Sequence, residues 1–115
     1  MKTSIAKGLD GERFLMFWCP GCDDPHVPIV QRERPERPLW TWNGDRDRPT
    51  LTPSILCQSD YGTAAEHGSH PLGGHHVCHS FVTDGRIQFL SDCTHALAGQ
   101  TVDIPDWPYD DEVVQ

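Results

Sequence analysis

Six side chains with metal-binding chemistry fall in three short stretches of this chain. They are Cys19 and Cys22 in CPGC, Cys78 and His79 in CHS, and Cys93 and His95 in DCTH. Two cysteines separated by two residues in a tight turn can hold one zinc ion, each thiolate about 2.3 Å from it. Pro20 would fix the first bend of that turn, and Gly21 would let the backbone fold beneath the metal. A redox reading of the same motif needs a βαβ setting, and no helical pattern follows Cys22. Two Cys/His clusters suit a closed structural site with four protein ligands. A catalytic metal site would hold one position open for water.

Which of the six side chains share a face depends on the element between them. FVTDGRIQF reads as a β-hairpin, and its loop sets the register. A three-residue loop, Thr83-Asp84-Gly85 with Gly85 in the left-handed region, places Phe81, Ile87 and Phe89 on one face. His79 and Cys93 extend that apolar face at the open end of the hairpin, and this is the favoured register. A two-residue Asp84-Gly85 loop shifts the first strand by one, so that Cys78 joins Cys93 and Phe81 turns outward. A one-residue slip exchanges the two faces completely, and here it exchanges an imidazole for a thiol. His95 lies beyond the strand end, where alternation predicts nothing.

The other elements are also β in character. RFLMFW over residues 13–18 predicts a buried strand leading into CPGC. HVPIVQ over 26–31 predicts a second, restricted to an edge by Pro28. LWTWNGD and PTLTPSILCQ predict a hairpin with a long charged connection, and QTVDIP a last strand. Asp92 is expected to cap a short helical turn over 96–98 that Gly99 ends. Residues 59–76 carry His67, His70, His75 and His76 with little apolar content, and read as a loop in which the histidines have no common partner. Residues 106–115 read as an acidic tail. The fold class is mostly β: a small antiparallel, zinc-stapled domain with zinc ribbon-like elements and long loops, one domain over 1–115.

Composition narrows the function classes. Formal net charge is −8, and the basic residues of QRERPERP and GDRDRP are interleaved with acids. General binding to phosphate backbones is therefore not expected. No run approaches the ~18 apolar residues of a membrane span, and the N-terminal MKTSIAKGLDGERF lacks the apolar core of a secretory signal. In a reducing cytosol, five cysteines are better explained by metal binding than by disulfides. Cys57 is expected to be a small buried hydrophobe outside the site.

FWCPGC with the following His26, WTWNGD, PTLTPSIL and CHSFVTDGRIQFLSDCTHALAGQTVDIP together resemble small bacteriophage and prophage proteins of unassigned function, over roughly residues 14–105. Some of these carry the labels ammonia monooxygenase or anaerobic dehydrogenase, but nothing in this sequence supports copper-oxygenase or redox-cofactor chemistry. The resemblance implies a phage origin and a motif set at Cys19, Cys22, Cys78, His79, Asp92, Cys93 and His95.

The expectation is a phage-derived binding or structural module with zinc as cofactor and no catalytic residue. It would sit in the host cytoplasm or on the virion, and its partner would be a protein or a second copy of the chain. Trp40, Trp42 and Trp107 are candidate contacts. The alternative is a zinc-dependent hydrolase with three ligands and a water, Asp92 or a free histidine acting as general base.

Overall fold

The computed structural model describes residues 1–60 and 75–109. Among these there is no helix, and nine strands form two antiparallel sheets. The first sheet centres on β2 (Arg13–Cys19), which pairs with β1 (Thr3–Lys7) on one side. On its other side lie β3 (Asp24–His26) and β4 (Ile29–Gln31). The interruption between β3 and β4 falls at Val27-Pro28, where proline has no N–H to give a ladder. Its carbonyl is still used, accepting from Leu15 N at 2.9 Å.

The second sheet is a meander of β5 (Thr41–Trp42), β6 (Leu51–Asp60), β7 (His75–Thr83), β8 (Arg86–Phe89) and β9 (Thr101–Asp103). Period-2 alternation packs it against the first sheet. Leu15, Phe17 and Cys19 of β2 point inward, between Phe14, Met16 and Trp18, which are only partly buried. They meet Leu51 and Ile55 of β6, Cys78 and Val82 of β7, and Ile87 and Phe89 of β8 in one core with Cys93 and Ile104.

The β7–β8 hairpin differs from the favoured reading of the sequence. Thr83 pairs with Arg86, Val82 with Ile87 and Phe81 with Gln88, so the loop is the two residues Asp84-Gly85. Both have positive φ (53° and 79°), as the tight hairpin turn that matches strand twist requires. Phe81 consequently faces outward at 41% exposure, and Cys78 is the residue that faces the core.

Other departures are smaller. β1 has no clear signal in the sequence, because its innermost residues, Thr3 and Ser4, are polar and yet buried. β6 continues to Asp60 and β7 starts at His75, so both ends of the expected 59–76 loop are strand. The rest of that loop, with His67 and His70, and the tail beyond Tyr109 lie outside the described residues. Residues 96–98 form a turn rather than a helical cap, with Ala98 N bonding His95 O at 3.3 Å.

Candidate functional site

Two clusters occupy opposite faces of β7. The inner one gathers cysteine and histidine. Cys19 ends β2, and the turn after it is closed by Asp23 N to Cys19 O at 2.9 Å, with Asp23 in the left-handed region. Cys22 N approaches Cys19 Sγ at 3.4 Å. Cys78 comes across from the other sheet, its sulfur 3.8 Å from that of Cys19. His26, at the end of β3, places Nε2 3.5 Å from Cys22 Sγ. The donor atoms of Cys19, Cys22, His26 and Cys78 all lie within 4.8 Å of one another.

Ligands arranged tetrahedrally around a thiophilic ion stand roughly 3.5–3.8 Å apart, so this donor set fits such a metal. Cys78, Cys93 and His95 form a second group within the same limit, and Cys78 belongs to both. The His95 ring lies so close over Gly21 that a Cβ there would come within 2.3 Å of it, and so the turn needs glycine. His95 Nε2 is buried without a hydrogen-bond partner among the described residues, and burial lowers its pKa. His76 also enters the cluster, with Nε2 3.2 Å from Cys22 Sγ.

The cluster concentrates charge. Hydrogen bonds from Cys22 and then Cys78 hold the Cys19 thiol far below its ordinary pKa, against the effect of burial. Cys78 is raised in return, by its bonds to Cys19 and Cys22 and by burial. For His26, burial by itself opposes the charged form. Bonds to Cys19, Cys22 and Cys57 outweigh it and push the imidazole up to about 12. Anionic sulfur packed among imidazoles is the environment a soft cation would neutralise.

The outer cluster is of a different kind. β6 is irregular between Leu51, which pairs with Val82, and Ile55, which pairs with Ser80. Thr52, Pro53 and Ser54 thus stand against Phe81 alone, in a bulge, a device that re-aims side chains beside active sites. Ser54 Oγ lies 3.1 Å from His79 Nε2. His79 Nδ1 lies 3.1 Å from Asp92 Oδ2 on the segment after β8. With the imidazole proton on Nδ1, His79 donates to the carboxylate and accepts from the serine hydroxyl. His79 is 26% exposed and Asp92 56%, so a substrate can reach the array from solvent.

The structure therefore divides the residues singled out in the sequence. Cys19, Cys22, Cys78, Cys93 and His95 come together inside, whereas His79 faces out, to Ser54 and Asp92. Asp92 does not cap a turn; its carboxylate lies against the His79 imidazole. Cys57 is not a bystander, since its sulfur lies 3.2 Å from His26 Nδ1. Ser54 and the roles of His26 and His76 were missed. His26 could have been found from its place four residues after Cys22, but Ser54 has no linear signature.

A Ser–His–Asp chain on the open face of a small β protein, beside a buried Cys/His cluster, is an arrangement that serine hydrolases use. The chain belongs to the family described as bacterial ubiquitination-like system serine protease (BubE), whose model matches residues 2–90. Among curated proteins and solved structures, none matches the chain.

The matched span includes Ser54, His79, Cys19, Cys22 and Cys78, and stops short of Asp92, Cys93 and His95. Membership overturns the reading of this chain as a viral structural or binding module from phage. The hydrolase held as the alternative is nearer the mark. The family description names a serine protease where that alternative had metal-bound water, and Ser54 is the serine in contact with His79.

Proposed function

We propose that this chain is a serine hydrolase of a ubiquitination-like system. Ser54 is its nucleophile, His79 its general base and acid, and Asp92 the group that orients the imidazole. The observation that carries this reading is the continuous chain from Ser54 Oγ through both nitrogens of His79 to Asp92 Oδ2, each link 3.1 Å.

Ser54 Oγ attacks the substrate carbonyl carbon as His79 Nε2 takes its proton. The tetrahedral intermediate collapses, the bond to the leaving nitrogen or oxygen breaks, and His79 returns the proton to that atom. Water then cleaves the Ser54 ester by the same route, His79 removing the proton of water. Asp92 holds the Nδ1–H throughout and stabilises the imidazolium while it exists. The family description supports a substrate in a ubiquitination-like system, and the proposed partner is a protein whose terminal carbonyl is held in a peptide or ester bond.

The metal proposed for the inner cluster is zinc, with Cys19, Cys22, Cys78 and His26 as its four donors. A thiolate-rich, fully protein-liganded site favours that ion and a structural role. Zinc there would supply folding free energy and a rigid link between the two sheets. Cys78 precedes His79, so this link sits one residue from the base of the triad.

The deciding experiment is labelling of the folded, metal-loaded chain with a fluorophosphonate, followed by peptide mapping. A single adduct on Ser54, absent in Ser54→Ala and slowed at least ~100-fold in His79→Ala, is the expected result. Labelling that proceeds equally well in His79→Ala, or no adduct at all, would remove the assignment.

A further inference from the structure

The strand that carries Ser54 has an open edge. On β7, His79 O accepts from Leu90 N at 2.9 Å and Val77 O from Thr94 N at 2.9 Å, so these two residues turn their main chain away from β6. Cys78 and Ser80, between and after them, therefore bond to their β6 partners Cys57 and Ile55. The same alternation turns the N–H and C=O of Ser54 and Leu56 to the opposite side. Ser54 O is met there by the indole N–H of Trp40 at 3.2 Å. The next outward-facing residue, Leu56, meets no main-chain partner among the described residues, because β5 covers β6 only at Leu51 and Thr52.

A groove of about 250 Å³ runs along this edge. Ile55, Leu56 and Cys57 form one wall, and Phe14, Val27–Ile29 and Trp40 are among the residues opposite. Every residue of its lining except His26 is apolar, a cysteine or a proline. Leu56, 52% exposed, stands directly across from His79 in the β6–β7 register. The groove thus reaches Ile55, the residue after Ser54 on the same strand, and offers one set of main-chain hydrogen-bonding groups together with an apolar trough.

We propose that the substrate binds as an extended peptide added to the open edge of β6. Its main chain pairs with the N–H and C=O of Leu56, and an apolar side chain enters the groove between Val27, Trp40 and Leu56. This rests on the assignment of Ser54 as nucleophile, and it adds the substrate class: a flexible, extended segment with apolar side chains flanking the scissile bond. A free edge supplies affinity through the backbone, and a pocket beside it supplies selectivity through alternate side chains. Continuity with Ser54 selects a substrate segment as the occupant, in preference to a second copy of the chain.

Three blocked tripeptide aminomethylcoumarins test it: tri-leucine, tri-glutamine, and tri-leucine with N-methylated amides. All are uncharged, which removes the acidic surface as a factor. On the metal-loaded full chain, kcat/KM for tri-leucine should exceed that for each of the other two by at least ~10-fold. Val27→Lys should narrow the leucine-to-glutamine ratio. In Ser54→Ala, the blocked tri-leucine amide should slow hydrogen exchange at the Leu56 amide.

Equal turnover of all three peptides by an enzyme that needs Ser54 would overturn the edge-binding inference and leave the triad standing. Cleavage that survives Ser54→Ala would remove the triad. Without any cleavage, the Leu56 amide decides: protection by tri-leucine sustains the edge, and unchanged exchange ends it.

Discussion

Cys78 and His79 are neighbours in the chain, and they face opposite worlds. Cys78 is fully buried, 3.8 Å from Cys19, in a cluster of thiols and imidazoles that joins the two sheets. His79 lies in the open, between a serine hydroxyl and a carboxylate. Cys93 and Asp92 repeat the division after β8. Strand alternation lets one short segment serve the Cys/His cluster on its inner face and the proposed catalytic array on its outer face. The two centres cannot move independently, because a shift of either strand displaces both.

Breaking the inner face should have the largest effect. Cys78→Ser, or removal of the metal by a chelator, is expected to destabilise the fold by several kcal/mol, since structural zinc contributes on the order of 10 kcal/mol to small domains. Hydrolysis should fall along with it. Metal content, thermal unfolding and turnover would be followed together, and wild-type melting after complete chelation would show that the inner cluster is not a staple.

Ser54→Ala should separate the two centres. Turnover is expected to drop by about 10⁴-fold or more, with metal content and melting unchanged. A loss of metal in this variant would mean that the outer face supports the inner one.

Asp92→Asn should be milder, about 10²- to 10⁴-fold in kcat, because the carboxylate orients an imidazole and does not touch the substrate. Its steady-state rate should be compared with that of Asp92→Ala. Wild-type rates in both would leave a Ser54–His79 pair as the whole apparatus.

Cys57→Ser should be the smallest of the series. Its sulfur lies 3.2 Å from Nδ1 of His26, and loss of such an outer partner weakens metal binding by about 10-fold. Competition with a chromophoric chelator measures this. An unchanged affinity would mean that His26 is held without Cys57.

Much of the fold could be read from the residues. RFLMFW alternates an inward Leu15 and Phe17 with partly covered neighbours, and the strand is there. The last strand and the charged hairpin connection after Trp42 are also where turn chemistry puts them. β1 was not legible, because a strand whose innermost positions are threonine and serine has no apolar period. The hairpin register failed for a related reason. Counting apolar residues put Phe81 inside, but Ser80 occupies the core position and Phe81 lies outside, at 0% and 41% exposure. That exchange also carried His79 to the wrong face.

The sequence by itself determined the donor chemistry. A Cys-Pro-Gly-Cys turn with further cysteines and histidines far along the chain points to a metal whatever the register, because ligand type and local spacing are properties of short segments. Only the tertiary structure decided what His79 does. Ser54, His79 and Asp92 lie on three different segments, and no spacing rule links them. They meet because a bulge in β6 turns a serine out beside β7, and because a two-residue turn sets which side of β7 faces the solvent. A metal turn is local geometry written in adjacent residues. A nucleophile becomes one only when folding brings a base to it.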